Sequence, residues 1–226
     1  MPRIVIVSAT RYSESDFYSK AALGRSISQS YSHFALPTKI YFSNSKPLPT
    51  CYNDAIATSS ADDMLVFVHD DILLVDFYWL DKIYWGFQNF DILGVAGNKR
   101  RVPKQPAWAF IDNKLTWDHP SNLSGIIGHG NQFPCKISGY GPPGQICKLL
   151  DGVFLSAKTS TLRQHGVQFD ERFDFHFYDL DFCRQAELKN LRIGTIPLGL
   201  IHESGGNFSS DQWKAGYARY LDKWGE

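Results

Sequence analysis

Met64-Leu65-Val66-Phe67-Val68-His69-Asp70-Asp71 is the stretch on which the reading of this chain turns. Five consecutive apolar residues predict a strand covered on both faces, and the polar trio after them stands at its carboxyl end. Working back, Tyr52 to Ser60 reads as a helix, and Lys39 to Phe42 as a strand closed by Ser43-Asn44-Ser45 with Pro47 and Pro49. Before that, Ser13-Glu14-Ser15-Asp16 starts a helix reaching to about Tyr31, and Arg3 to Ala9 is a β-branched strand ended by Thr10-Arg11. Working forward, an aromatic-rich helix from Phe77 to Phe90 precedes a strand from Ile92 to Ala96. This alternation predicts an α/β domain with a parallel sheet and helices on both faces. Ligands of such a sheet bind beyond the carboxyl ends of its strands, where His69, Asp70 and Asp71 stand.

From Gly97 to Gly144 the pattern dissolves into Gly, Pro, Asn and isolated aromatics, and the segment reads as a functional loop region. Order returns with a strand from Leu149 to Ala157, a short helix from Thr159 to Gln164 and a helix from Asp179 to Asn190. A strand from Ile193 to Ile201 and a helix from Trp213 to Trp224 complete the chain.

The 226 residues suffice for one α/β domain with its own core. Lys plus Arg and Asp plus Glu both count 23, so no general attraction to nucleic acid or an anionic membrane is expected. Aromatics are 15% of residues, enough for a rich core or for sugar-stacking walls. The cysteines, Cys51, Cys135, Cys147 and Cys183, lack zinc spacing and read as reduced. The N-terminal run lacks the apolar length of a signal peptide, and no stretch approaches the ~20 apolar residues of a membrane helix. A cytoplasmic protein is expected, brought to a membrane only by a partner or acceptor.

Adjacent carboxylates at a strand end repel unless a cation or water neutralises them, so Asp70-Asp71 suggests a hard divalent metal completed by substrate phosphate. Helix capping by one of them is the alternative. His202 follows the last strand in a Gly-rich loop and reads either as a ligand or as a structural hydrogen-bonding residue. Asp179 and Asp181, in Tyr178-Asp179-Leu180-Asp181-Phe182-Cys183-Arg184, suit the first turn of a helix or, held among aromatics, a general base. Asp151-Gly152 interrupts an apolar run, as a tight turn or a carboxylate beside substrate. Lys99-Arg100-Arg101 reads as a solvated loop, with phosphate contact the minority reading.

These blocks together resemble the family-two-like glycosyltransferases of the GT-A fold, in a small branch with a His-Asp-Asp motif, from about Ile4 to Trp224. The matching segments are Phe67-Val68-His69-Asp70-Asp71, Leu150-Asp151-Gly152-Val153-Phe154-Leu155, Phe169-Asp170-Glu171-Arg172-Phe173, the Tyr178 to Arg184 segment, and His202 before Ser204-Gly205-Gly206. His69 stands where the family's Asp-x-Asp has its first acid, and Tyr178 replaces a Glu. The resemblance implies a single-domain α/β GT-A (Rossmann-like) fold, a mixed sheet flanked by helices. Residues 1–97 would form its nucleotide-binding half and 98–226 its acceptor and catalytic half. It further implies that Asp71 and His202 hold Mn2+ or Mg2+, with Asp70 beside them against the donor diphosphate. Ser8, Thr10, Arg11 and Asn44 would hold the nucleoside, and Asp179 would be the general base of an inverting transfer, with Asp151 a second catalytic carboxylate. The donor would be a nucleotide-diphosphate-sugar, UDP-sugar favoured, and the acceptor a glycan or lipid-linked hydroxyl. The rivals are a non-catalytic nucleotide-sugar-binding module and a nucleotidyltransferase. The latter would carry a Gly-rich loop after the first strand, which Ser8-Ala9-Thr10-Arg11-Tyr12 lacks.

Overall fold

The computed structural model describes residues 3–30 and 36–225. The chain starts with β1 (Ile4–Ala9), α1 (Glu14–Lys20) and α2 (Ala22–Ser30). The helix expected to reach Tyr31 is therefore two, and its end at Tyr31 lies outside the described residues. Ser13 caps α1 by accepting from the Asp16 amide at 3.3 Å. The chain bends at Ala21, and α2 then packs so closely that a Cβ on Gly24 would lie 2.0 Å from the Phe17 carbonyl oxygen. Next come β2 (Thr38–Tyr41), α3 (Leu48–Thr58), β3 (Met64–Val68) and a short β4 (Ile72–Leu74). All five β3 residues are buried, as their unbroken apolar run predicts. α4 (Trp79–Gly86) is anchored by the fully buried Trp79. It is followed by β5 (Ile92–Gly94), β6 (Ala96–Asn98), β7 (Leu123–His129), β8 (Lys136–Gly141), β9 (Ile146–Cys147) and β10 (Leu149–Leu150). The remainder is β11 (Phe154–Lys158), α5 (Thr159–His165), α6 (Tyr178–Leu188), β12 (Ile193–Thr195), β13 (Leu200–His202) and α7 (Asp211–Trp224).

Two sheets result. The first has the order β2-β1-β3-β11-β5-β12-β9, the second β10-β6-β7-β13-β4 with β8 paired to β7. The parallel sheet expected from the alternation is corrected to a mixed one. β1 is parallel to β2 and β3, and β12 to β5, but the central β11 runs antiparallel to both β3 and β5. Three runs expected as single strands are each broken in two. Ile92 to Ala96 divides at Val95, Leu149 to Ala157 at Asp151-Gly152-Val153, and Ile193 to Ile201 between Thr195 and Leu200. Each time the two pieces lie in different sheets, so the chain turns a corner between them. A fourth corner, His69-Asp70-Asp71, joins β3 of the first sheet to β4 of the second.

The loop expected from Gly97 to Gly144 is likewise corrected, since it contains β7 and β8. Its glycines hide the pattern but are needed. Gly125 has φ +111°, and a Cβ there would lie 2.0 Å from the Val95 carbonyl oxygen. The irregular part, residues 99–122, is tied down by the buried Asp118. This carboxylate accepts from Arg100 Nε (2.9 Å), Asn98 Nδ2 (2.9 Å), Asn122 Nδ2 (2.9 Å) and the His119 amide (2.7 Å). Arg100 thus serves structure. Asn98 Nδ2 also reaches the Trp108 carbonyl at 3.0 Å, which sets the position of Trp108.

The Arg100 guanidinium holds the Asp118 carboxyl well below the usual carboxylate range despite its burial. Such a group contributes stability above its unfolded pKa, lost as pH falls. Asp118→Asn turns an amide towards donors in a buried site and is expected to destabilise the protein by about 2 kcal/mol at pH 7. The deficit should shrink towards pH 3. Thermal unfolding at both pH values checks this, and an unchanged Tm at pH 7 would remove Asp118 from its anchoring role.

Candidate active site

The corner between β3 and β4 presents three ionisable side chains because the backbone there is held from both sides. The His69 amide donates to the Val153 carbonyl at 3.2 Å, and the Asp71 carbonyl accepts from the Glu203 amide at 3.0 Å. Asp70 turns towards β1, where its Oδ2 accepts from Thr10 Oγ1 at 2.6 Å. Asp71 turns towards β13, where its Oδ2 lies 3.2 Å from His202 Nε2. His202 stands in register with Ile72 and His129, and Ser204 Oγ is 3.0 Å from its Nε2. His69 Nε2 lies 2.8 Å from the Tyr178 hydroxyl.

One ligand atom each from His69, Asp71 and His202 come within 4.8 Å of one another, the group among the described residues that could hold a metal ion. Asp71 Oδ1 is buried without a hydrogen-bond partner. An orphaned carboxylate oxygen facing two imidazoles is a costly arrangement that a divalent cation would satisfy, so the residues present fit such a group. Burial works against the Asp71 charge, yet the His202 hydrogen bond and the nearby imidazoles bring its carboxyl down to about 2. Burial lowers His69 to about 4. It would lower His202 too, but the Asp71 carboxylate wins and raises it. Asp70 is raised by burial, against the Thr10 hydrogen bond.

A cavity of about 540 Å³ opens beside this cluster, with His69 and His202 in its wall and Asp151 and Asp179 on its inner side. Asp151 lies at the corner between β10 and β11. Its Oδ2 accepts from Trp108 Nε1 at 2.8 Å and its Oδ1 from the Val153 amide at 3.1 Å. Asp179 opens α6 and accepts from the Gly152 amide at 3.0 Å and the Leu180 amide at 2.9 Å. Burial, reinforced by the Asp151 charge, pushes the Asp179 carboxyl up to about 7. The residue before α6, Phe177, has φ +69°, a left-handed conformation that a bulky side chain rarely adopts. Its ring packs on Trp213, Tyr217 and Tyr220 of α7, which hold it there. The outer walls are aromatic, with Trp117 stacked on Tyr140 and Trp108 edge-on to both. A larger hollow, about 710 Å³, shares no residue with this cavity, and its Asp170 is paired with Arg172 and Lys223. The smaller cavity gathers four displaced titratable groups, His69, Asp151, Asp179 and His202.

Asp70, Asp71, Asp151, Asp179 and His202 are thus brought to one region. Thr10 joins them through Asp70, whereas Arg11 is exposed and Ser8 is fully buried with its hydroxyl unpartnered. Asn44 closes a turn, its side chain bonded to Lys46 N (3.0 Å) and Lys46 O (2.9 Å). Asp181 is buried against α7, 2.6 Å from Lys223 Nζ and 2.8 Å from Trp224 Nε1, and does not face the cavity. Sequence reasoning missed Trp108, Tyr178 as a polar partner and His129 in the cavity wall. The aromatic richness of the Gly97 to Gly144 segment was the one available signal for Trp108.

Comparisons with known proteins bear on the family and the fold. No curated protein matches by sequence. Among solved structures, GalNAc-T7 with UDP, GalNAc and Mn2+ aligns with a TM-score of 0.58 at 7% identity, over 98% of this chain and 48% of that one. A mannosyltransferase from Pyrobaculum calidifontis in complex with GDP-Man and Mn2+ gives 0.52 at 12% identity, over 92% and 59%. S. aureus TarS 1-349 gives 0.51 at 15% identity, over 89% and 60%. The chain therefore spans between about half and three-fifths of the length of these proteins. These structural alignments show a shared GT-A fold. Residues 35–199 match the family described as "Glycosyltransferase like family", and with most of its length so matched the chain belongs to that family.

Proposed function

We propose that the protein is a metal-dependent glycosyltransferase that moves a sugar from a nucleotide-diphosphate-sugar, UDP-sugar favoured, to a hydroxyl of a glycan or lipid-linked acceptor, with inversion. The observation that carries this reading is the pairing of a half-buried carboxylate poised near neutrality, Asp179, with the His69, Asp71 and His202 cluster across one cavity. Residues 1–97 form the nucleotide-binding half in this reading and residues 98–226 the acceptor half. Thr10, Arg11 and Asn44 stand after the ends of β1 and β2 where the nucleoside would lie, with Ser8 on β1 beneath them, and Thr10 is bonded to Asp70, the neighbour of Asp71. Asp71 and His202 would hold Mn2+ or Mg2+, which supplies charge stabilisation to a departing nucleoside diphosphate. The solved complexes with UDP or GDP-Man and Mn2+ on the same fold support a nucleotide-sugar donor and a divalent metal.

Asp179 takes the proton of the acceptor hydroxyl as that oxygen attacks the anomeric carbon. Its elevated pKa suits the task, since a base near 7 still holds a transferred proton at neutral pH. Burial keeps that pKa high, the Asp151 charge adds to it, and Asp151 is itself fixed by Trp108 Nε1. No described helix is long and apolar enough to cross a membrane. The four free cysteines fit a reducing compartment, so we place the enzyme in the cytoplasm, meeting a membrane through its acceptor.

Asp179→Asn is expected to lower transfer by about 10²–10⁴-fold while nucleotide binding is kept. Wild-type kcat/KM should rise with pH to a plateau above about 7. Full transfer by the variant would sink the assignment. Because the fold favours the neutral form of Asp179, its contribution to stability is present at low pH and is lost as pH rises through about 7. The wild type should therefore lose more Tm than Asp179→Asn between pH 5 and pH 8.

Thermal shift tests the donor side. UDP should raise the Tm only when Mn2+ is present, and Asp71→Ala should abolish the shift. GDP, CDP and dTDP screened alongside identify the base. A nucleotide shift of equal size without metal and in Asp71→Ala would overturn the metal-dependent reading.

A further inference from the structure

The two positions at which the chain departs from the resembled motifs, His69 and Tyr178, are 109 residues apart in sequence and in contact in space. The Tyr178 hydroxyl lies 2.8 Å from His69 Nε2 and 2.8 Å from the Gly152 carbonyl. A hydroxyl has one proton, and a carbonyl oxygen can only accept. Tyr178 must therefore donate to Gly152, and His69 must donate its Nε2–H to Tyr178. That fixes the neutral tautomer with a lone pair on Nδ1, the arrangement in which a histidine serves as a metal ligand while its other nitrogen is held by a partner. The ring is held in place, since Tyr178 is buried and packs among Tyr52 and Phe169, while Phe175 lies 5.3 Å from the imidazole. A Cβ on Gly152 would come 2.4 Å from the Tyr178 hydroxyl, so glycine is the residue that admits this contact.

We propose that His69 is a third protein ligand of the Asp71 and His202 site, ligating through Nδ1, and that Tyr178 is the positioning residue that sets its tautomer. Two imidazoles and one carboxylate replace the oxygen-rich set of an Asp-x-Asp site. Imidazole donors favour first-row transition dications, Co2+ above Mn2+, whereas Mg2+ demands oxygen and retains its waters. The site accordingly takes Mn2+ or Co2+ in preference to Mg2+. This inference rests on the transferase reading only in expecting a divalent ion at the site.

The test uses metal alone, without nucleotide or acceptor. Mn2+ is added to the purified protein labelled with 15N-histidine, and pulsed EPR counts the directly coupled nitrogens. Two histidine nitrogens are expected in the wild type and one in His69→Asp; a single nitrogen in the wild type overturns the assignment. Competition should show Mn2+ and Co2+ bound at least about tenfold more tightly than Mg2+, and equal affinities overturn the selectivity. Tyr178→Phe keeps the ring and is expected to weaken Mn2+ binding about tenfold while altering the coupling from the His69 nitrogen alone. An unchanged coupling would leave Tyr178 with a packing role only and overturn its part. Two coupled nitrogens in a protein with no sugar-transfer activity would support this inference and sink the transferase reading.

Discussion

The site depends on four corners at which the backbone leaves one sheet for the other without stranding its polar groups. A chain that bends between two buried sheets exposes N–H and C=O groups to a region with little water, and each unpaired one costs about 1–3 kcal/mol. Here the corners satisfy one another. The His69 amide donates to Val153, the Asp151 amide to Ala96 and the Ile196 amide to Gly94. Side chains at His69, Asp70 and Asp71 are thereby fixed in direction towards Tyr178, Thr10 and His202, while Asp151 Oδ1 accepts from the Val153 amide. That is the preorganisation a reacting centre needs.

Within this frame the carboxylates divide by environment. Asp71 faces imidazoles and is held ionised, while Asp179, desolvated and beside the Asp151 carboxylate, is raised to about 7. The two Asp179 amide bonds, from Gly152 and Leu180, oppose its burial but do not cancel it. In the proposed reading, these opposite displacements separate a cation-holding acid from a proton-accepting one. The arrangement stores unfavourable charge, and the core of β1, β3 and β11 is what withstands it.

Much of this was legible in sequence where local chemistry and position coincide. The apolar run Met64 to Val68 announced a buried strand, and the polar trio after it had to lie at a strand end. Ser13 and Asp16 announced the start of a helix. The corners were not legible, because Leu149-Leu150 and Phe154-Leu155 are buried in different sheets yet carry the same unbroken apolar character. Period is lost once both faces of a strand are covered. β7 and β8 were hidden by Gly125, Gly128, Gly139 and Gly141, which read as loop; Gly125, Gly128 and Gly141 serve close packing or open backbone angles instead. The His69 to Tyr178 contact joins residues far apart in the chain, and only the fold reveals that the two unusual choices belong together.

The hold of α7 on Phe177 gives the end of the chain a part in the order of events during synthesis. Asp181 is bound to Lys223 and Trp224, and the Phe177 ring to Trp213, Tyr217 and Tyr220, so α6 takes its final seat only against α7. Every strand of both sheets leaves the ribosome before α7 does. α6, with Asp179 in its first turn, therefore takes its final seat only once α7 has been made.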